Sequence, residues 1–115
     1  MNTITVNEYS VRPQTVIAGT QGSEGIFRLS FSFDPTWDGL AKKAVFILPN
    51  GERLYRSLRT DELIIPREVM QMRGKSRCFL VGRRGSRRLI TIGFELLVLG
   101  TEGVLEEVSE CQTSK

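Results

Sequence analysis

Residues 83–88, Arg83-Arg84-Gly85-Ser86-Arg87-Arg88, hold four arginines around a Gly-Ser step. A guanidinium presents a rigid fork of donors matched to carboxylate and phosphate oxygens, so this cluster is suited to recognising an anion. It sits in a wider basic stretch. Residues 53–88 contain eleven Lys or Arg, ten of them Arg, against Asp61, Glu62 and Glu68, an excess of +8 in a chain of net charge +3. The acidic balance lies elsewhere, with Glu102, Glu106, Glu107 and Glu110 towards the C-terminal end. Two readings of the cations stand side by side. They form a surface for an acidic protein patch, an acidic glycan or nucleic acid, or they are outward-facing strand residues that protect sheet edges from aggregation. The four-arginine turn repels itself. That favours a negative partner for Arg83, Arg84, Arg87 and Arg88, such as the acidic end of a neighbouring copy packed head to tail. Nucleic acid is the weakest candidate, because no exposed aromatic set is seen to interleave with the cations as a single-strand platform requires.

Catalytic chemistry is poorly supplied. Histidine is absent from all 115 residues, which removes Ser-His-Asp and Cys-His arrangements, the usual neutral-pH base and the commonest transition-metal ligand. Apart from Asp61-Glu62 and Glu106-Glu107 the acids are scattered singly, and neighbours on a strand point to opposite faces. Cys78, in the apolar run Cys78-Phe79-Leu80-Val81, reads as a buried small side chain, and Cys111 as an exposed thiol. Two isolated cysteines without histidine make neither a zinc site nor a disulfide framework. The expectation is a non-enzymatic protein with no catalytic, metal-binding or cofactor-binding residue.

The elements that must carry these side chains read as strands. In residues 26–33, Phe27, Leu29, Phe31 and Phe33 alternate with Arg28, Ser30 and Ser32, the period of a half-buried strand. Residues 44–48 are apolar throughout, so both faces of that strand are expected to be covered. They run into Pro49-Asn50-Gly51, where Asn-Gly suits the positive φ values of a tight hairpin turn, and residues 52–58 return as the partner. Residues 63–66 read as a short strand halted by Pro66. A single helical turn follows near 67–72, then a strand over 77–81 and a turn on Gly85-Ser86. A last long strand covers 89–99, with Ile90, Ile92, Phe94, Leu96 and Val98 on one face. Two weaker strands flank Pro13, at 4–6 and 15–17. The sum is about seven to eight short strands with no amphipathic helix, which favours an all-β antiparallel sandwich. The length suits one domain, residues 1–105, followed by a polar, frayed tail over 106–115. No apolar run reaches the ~18 residues of a membrane span, and the first residues lack the basic start and apolar middle of a signal peptide.

The only tryptophan lies in residues 33–46, at a turn between two apolar runs. A tryptophan buries roughly 150–250 Å², so Trp37 marks a corner of the core, with Asp38-Gly39 making the turn. Four motifs follow in order: Trp37-Asp38-Gly39-Leu40, Lys43-Ala44-Val45-Phe46, Ile64-Ile65-Pro66-Arg67-Glu68-Val69 and Val81-Gly82. Their succession, over about residues 26–100, resembles the N-terminal β-sandwich domain of baseplate upper proteins and related tail or fibre-attachment proteins in phages of Gram-positive bacteria. The resemblance implies an immunoglobulin-like sandwich that assembles with itself and with other virion proteins, is made in the host bacterial cytoplasm, and carries no chemistry. The family continues into a long C-terminal region, whereas this sequence ends at Lys115. The competing expectation is a binding module for an acidic ligand, a host-surface glycan or nucleic acid, held through the arginine-rich hairpin.

Overall fold

Alternating and apolar stretches separated by Gly, Pro and Asn become ten strands in the computed structural model, which describes residues 2–100. The domain end expected at 105, the tail over 106–115 and Cys111 lie outside the described residues. The strands are β1 (Asn2–Asn7), β2 (Ser10–Arg12), β3 (Thr15–Thr20), β4 (Arg28–Phe33), β5 (Ala41–Ile47), β6 (Arg53–Leu58), β7 (Glu62–Ile64), β8 (Gly74–Arg84), β9 (Arg87–Ile90) and β10 (Phe94–Leu99). One helical turn, α1 (Arg67–Met70), stands where the sequence places it, and a 3-10 turn over Pro35–Trp37 is additional.

Four strands form one sheet in the order β2-β1-β4-β7. The larger sheet runs β3-β10-β8-β5-β6, with β9 also on β8. Their inner faces share one core that includes Ile4, Leu29 and Phe31 from the first sheet and Phe46, Leu80 and Phe94 from the second. Phe31 and Phe94 meet edge to face across it at 6.5 Å. The fold is therefore an all-β two-sheet sandwich. Its β10-β8-β5-β6 order is that of the G, F, C and C′ strands in a variable-type immunoglobulin sandwich, opposed by β4 and β7 in the places of B and E.

Several expectations need correction. Six of the eight strand pairings are antiparallel, but β1–β4 and β10–β3 are parallel. Pro13 has no N–H for a ladder and ends β2. β3 then crosses to the other sheet, so the chain returns to β4 beside β1 in the same direction, by the crossover that parallel pairing requires. The β5–β6 loop is also longer than a two-residue turn. Gly51 N–H donates to the Leu48 carbonyl and Leu48 N–H to that of Glu52, both at 2.8 Å. Gly51 has φ +90° and Asn50 is not in the positive region. This is a three-residue loop with Pro49 preset at the second turn position and glycine in the left-handed one.

The last strand is interrupted. Ile90 and Ile92 are 44% and 42% exposed while Thr91 is buried, so they do not share the inner face with Phe94, Leu96 and Val98. Thr91 replaces the ladder between β9 and β10. Its N–H donates to the Leu80 carbonyl and its Oγ1 accepts from Leu80 N–H, each at 3.0 Å. Ile92 N–H turns away to the Tyr9 carbonyl at 2.8 Å. Inserting three residues between β9 and β10 shifts the alternation by one, and a one-residue shift exchanges faces.

Candidate functional site

The end of the sandwich that carries the arginine hairpin is organised by Trp37. Asp38 has φ −62° and ψ 133°, Gly39 has φ +78°, and Leu40 N–H donates to the Trp37 carbonyl at 3.2 Å. Those angles define a type II turn, whose third position needs glycine. The turn delivers the indole into the core with no solvent exposure. Its Nε1–H donates to the Glu8 carbonyl at 2.9 Å and its ring lies 5.2 Å from that of Phe33. Glu8 itself holds a left-handed φ of +55° at the β1–β2 hairpin, a conformation that a side chain other than glycine adopts at a cost.

Asp34 ties these turns together. One carboxylate oxygen accepts from Glu8 N–H at 3.1 Å and the other from the Thr36 hydroxyl at 2.6 Å. The Thr36 hydroxyl, then the Glu8 amide, hold this carboxyl below its ordinary value of 3.8. Both donors favour the ionised form, so their contribution is complete above that value and disappears as pH falls through the folded-state pKa. Acid titration of unfolding is expected to show a steeper loss below about pH 4 in the native chain than in Asp34→Asn. Parallel acid limbs in the two proteins would show that Asp34 contributes nothing to the turn.

The four arginines stand as a hairpin, paired Arg83 with Arg88 and Arg84 with Arg87. Gly85 has φ +61° at the first loop position and Ser86 is not in the positive region, the type II′ pattern that matches strand twist. All four are exposed, and none is ion-paired with a described residue. They do not form one cluster, however. Ser76, Cys78 and Leu80 of β8 point inward, so by alternation Arg83 and its partner Arg88 belong to the outer face of the larger sheet. Arg84 and Arg87 belong to the opposite side. A Cβ built on Gly39 would stand 2.7 Å from Arg84 Nη1, so Arg84 lies against the tryptophan turn. Arg87 and Arg88 border a depression of about 210 Å³ with Thr36 and Leu40. Pro66 is far from this end in role as well as in sequence: it is buried and its carbonyl accepts from Val69 and Met70 N–H to start α1.

On the outer face, strand register assembles what linear order separates. Lys43 lies opposite Ser57 and Val81, Val45 opposite Tyr55 and Phe79, and Ala41 opposite Arg83. Val45 is 2% exposed although no third layer covers it. Its cross-strand neighbours do. Lys43 Nζ sits 5.8 Å from the centre of the half-exposed Tyr55 ring, within the range of a cation–π contact. Between Lys43, Tyr55 and Arg83 lies a groove of about 520 Å³ floored by Val45 and Val81. Along the same face the registers place Arg53, Arg77, Lys75 and Arg88 as well. Glu95 is the acid among them, and it is occupied by Thr15 Oγ1 at 3.4 Å and Lys75 Nζ at 4.0 Å. The smaller sheet's outer face is different, pairing Thr3 with Ser30 and Thr5 with Ser32.

Of the residues singled out from the sequence, only Arg83 and Arg88 are part of this face. Lys43, Tyr55 and Phe79 went unnoticed as a set because each sits on a different strand; the alternation within each strand was their only signal. Cys78 is fully buried, and burial pushes its thiol pKa up. Among the described residues no helix is long and apolar enough to cross a membrane. The fold defines an all-β sandwich with one basic, apolar-centred sheet face. No family model and no curated protein matches the chain.

Proposed function

We propose that this chain is a non-enzymatic structural or attachment component of a phage particle or prophage, a baseplate, tail or fibre accessory. It acts by self-assembly and by contacts with other virion proteins through the outer face of its larger sheet. The observation that carries the contact surface is that face: cations on several strands surround Val45, Tyr55, Phe79 and Val81, with one acid that is already engaged. An apolar centre ringed by charge is the composition of a protein interface. Support for the particle assignment is the ordered succession from Trp37 to Gly82, whose members serve the core corner, the central strand and the α1 start. Repetition of one modest contact across many subunits supplies the strength that a single contact lacks.

Light scattering tests the reading directly. The native chain is expected to exceed monomer mass and to return to monomer with Lys43→Glu/Arg83→Glu. Both positions are exposed, so the double variant is expected to change stability by less than about 0.5 kcal/mol. A native chain that stays monomeric at every concentration and salt sinks the proposal. Whether adjacent open reading frames encode tail or capsid proteins checks the particle assignment.

A second reading has an observation of its own, the unpaired guanidinium groups beside an exposed tyrosine. It takes the hairpin end as a site for an anionic glycan or nucleic acid. It requires heparin or DNA binding with steep salt dependence, abolished by changing Arg83, Arg84, Arg87 and Arg88 to serine.

A further inference from the structure

We infer that the acidic segment 101–115 of one copy occupies the Lys43–Arg83 groove on the larger sheet of a second copy, joining subunits head to tail. This rests on the assembly reading and names its contact. The groove asks for an occupant with both anionic and apolar groups. Its floor is Val45 and Val81, its rims carry Lys43 and Arg83, and neither cation is ion-paired with a described residue. A volume of about 520 Å³ takes a short peptide stretch, not a folded domain.

The chain itself contains a segment of that chemistry. Four of its thirteen acids, Glu102, Glu106, Glu107 and Glu110, fall within nine residues that also hold Val104, Leu105 and Val108. The rest of the acids are dispersed, and two of them, Glu62 and Glu68, already face Arg28 and Arg56 at 3.6 and 3.4 Å.

Strand direction decides which copy receives the segment. β10 runs antiparallel to β8, with Phe94 opposite Cys78 and Val98 opposite Gly74. The chain therefore leaves the larger sheet at the start of β8, while the groove and hairpin are at its other end. Ten steps of about 3.3 Å separate those ends by roughly 33 Å. To fill its own groove the segment must reverse and run back over the sheet. Continuing in the direction of β10, it meets the hairpin end of a second copy without reversal. Opposite chemistry at opposite ends is the arrangement of a heterologous contact, which closes a ring or extends a filament according to the rotation between subunits.

Cys111 provides the test, since Cys78 is enclosed in the core and Cys111 is the thiol left for a nitroxide reagent. Nitrogen-15-labelled Cys111→Ser chain is mixed with unlabelled chain carrying nitroxide at Cys111. Expected is broadening of the Lys43, Tyr55, Val81 and Arg83 amides, with Thr5 and Arg12 on the other sheet unaffected. Replacing Glu102, Glu106, Glu107 and Glu110 by glutamine in the donor, or Lys43 and Arg83 by serine in the receiver, is expected to remove it. The inference is overturned if those amides stay sharp, if they broaden only when the nitroxide is on the labelled chain itself, or if broadening survives the glutamine changes. Light scattering on the same mixtures separates the two readings. Mass above monomer with sharp amides overturns this contact and leaves assembly standing; monomer mass with sharp amides overturns both.

Discussion

Trp37→Ala is expected to remove about 4 kcal/mol of stability, within the range for deleting a buried aromatic side chain. A domain of this kind is stable by roughly 5–15 kcal/mol in total, so the variant is brought close to unfolding at room temperature. Three losses combine. The indole is fully buried, its contact with the Phe33 ring at 5.2 Å is lost, and the Glu8 carbonyl loses a donor at 2.9 Å. The last is costly beyond its size, because Glu8 sits in a left-handed conformation that surrounding bonds must hold. Trp37→Phe keeps a ring in the site but no N–H, and should cost about 1–2 kcal/mol less than the alanine change. The readout is the urea midpoint by far-ultraviolet circular dichroism, as the chain has no second tryptophan to fluoresce. A midpoint shift equivalent to under about 1 kcal/mol for the alanine variant would mean that this end of the core collapses without penalty.

Gly82→Ala is the second large effect, and its cause is the same side chain seen from the opposite strand. A Cβ at position 82 would lie 2.6 Å from Trp37 Cζ3, 2.8 Å from its Cε3 and 2.9 Å from Leu40 Cδ1. An indole ring cannot bend, and it is pinned at Nε1, so the added methyl must displace the ring or the strand. Overpacking of this kind costs about 1–3 kcal/mol, and the rigid neighbours put the expected loss at the upper end. The argument has an internal check. Trp37→Phe removes the ring atoms that meet the new methyl, so Gly82→Ala is expected to cost less in that background. The double-mutant cycle should show a coupling on the order of 1–2 kcal/mol. Strict additivity would show that the close approach is relieved elsewhere. Gly82 immediately precedes Arg83, so the two positions separate folding from contact: the glycine is expected to change stability, and the arginine to change assembly.

Much of the architecture could be read directly from residue order. The alternation from Phe27 to Phe33, the Gly85-Ser86 turn and the Pro66 step each reflect a local rule, and each stands where that rule puts it. Failures share a cause as well. The run from Leu89 to Leu99 looks continuous because Ile90, Ile92 and Phe94 keep period two. The break at Thr91 depends on Leu80 and Tyr9, which lie about ten and eighty residues away in the chain. Likewise the apolar run around Val45 suggested a second covering layer, whereas Tyr55 and Phe79 cover it from adjacent strands.

The sequence by itself determined the strand-rich class, the turn chemistry, the lack of any histidine-based site and the separation of basic from acidic segments. These depend on residue type and short-range spacing, and backbone sterics act over a few residues. Only the tertiary structure decided that β1 and β4 run parallel, that four clustered arginines divide between two sides of a hairpin, and that Lys43, Tyr55, Phe79 and Arg83 share one face. Alternation says that a residue is on one of two faces, but not which neighbour stands beside it. That is settled by sheet order and register, which the burial of a shared core selects across the whole chain.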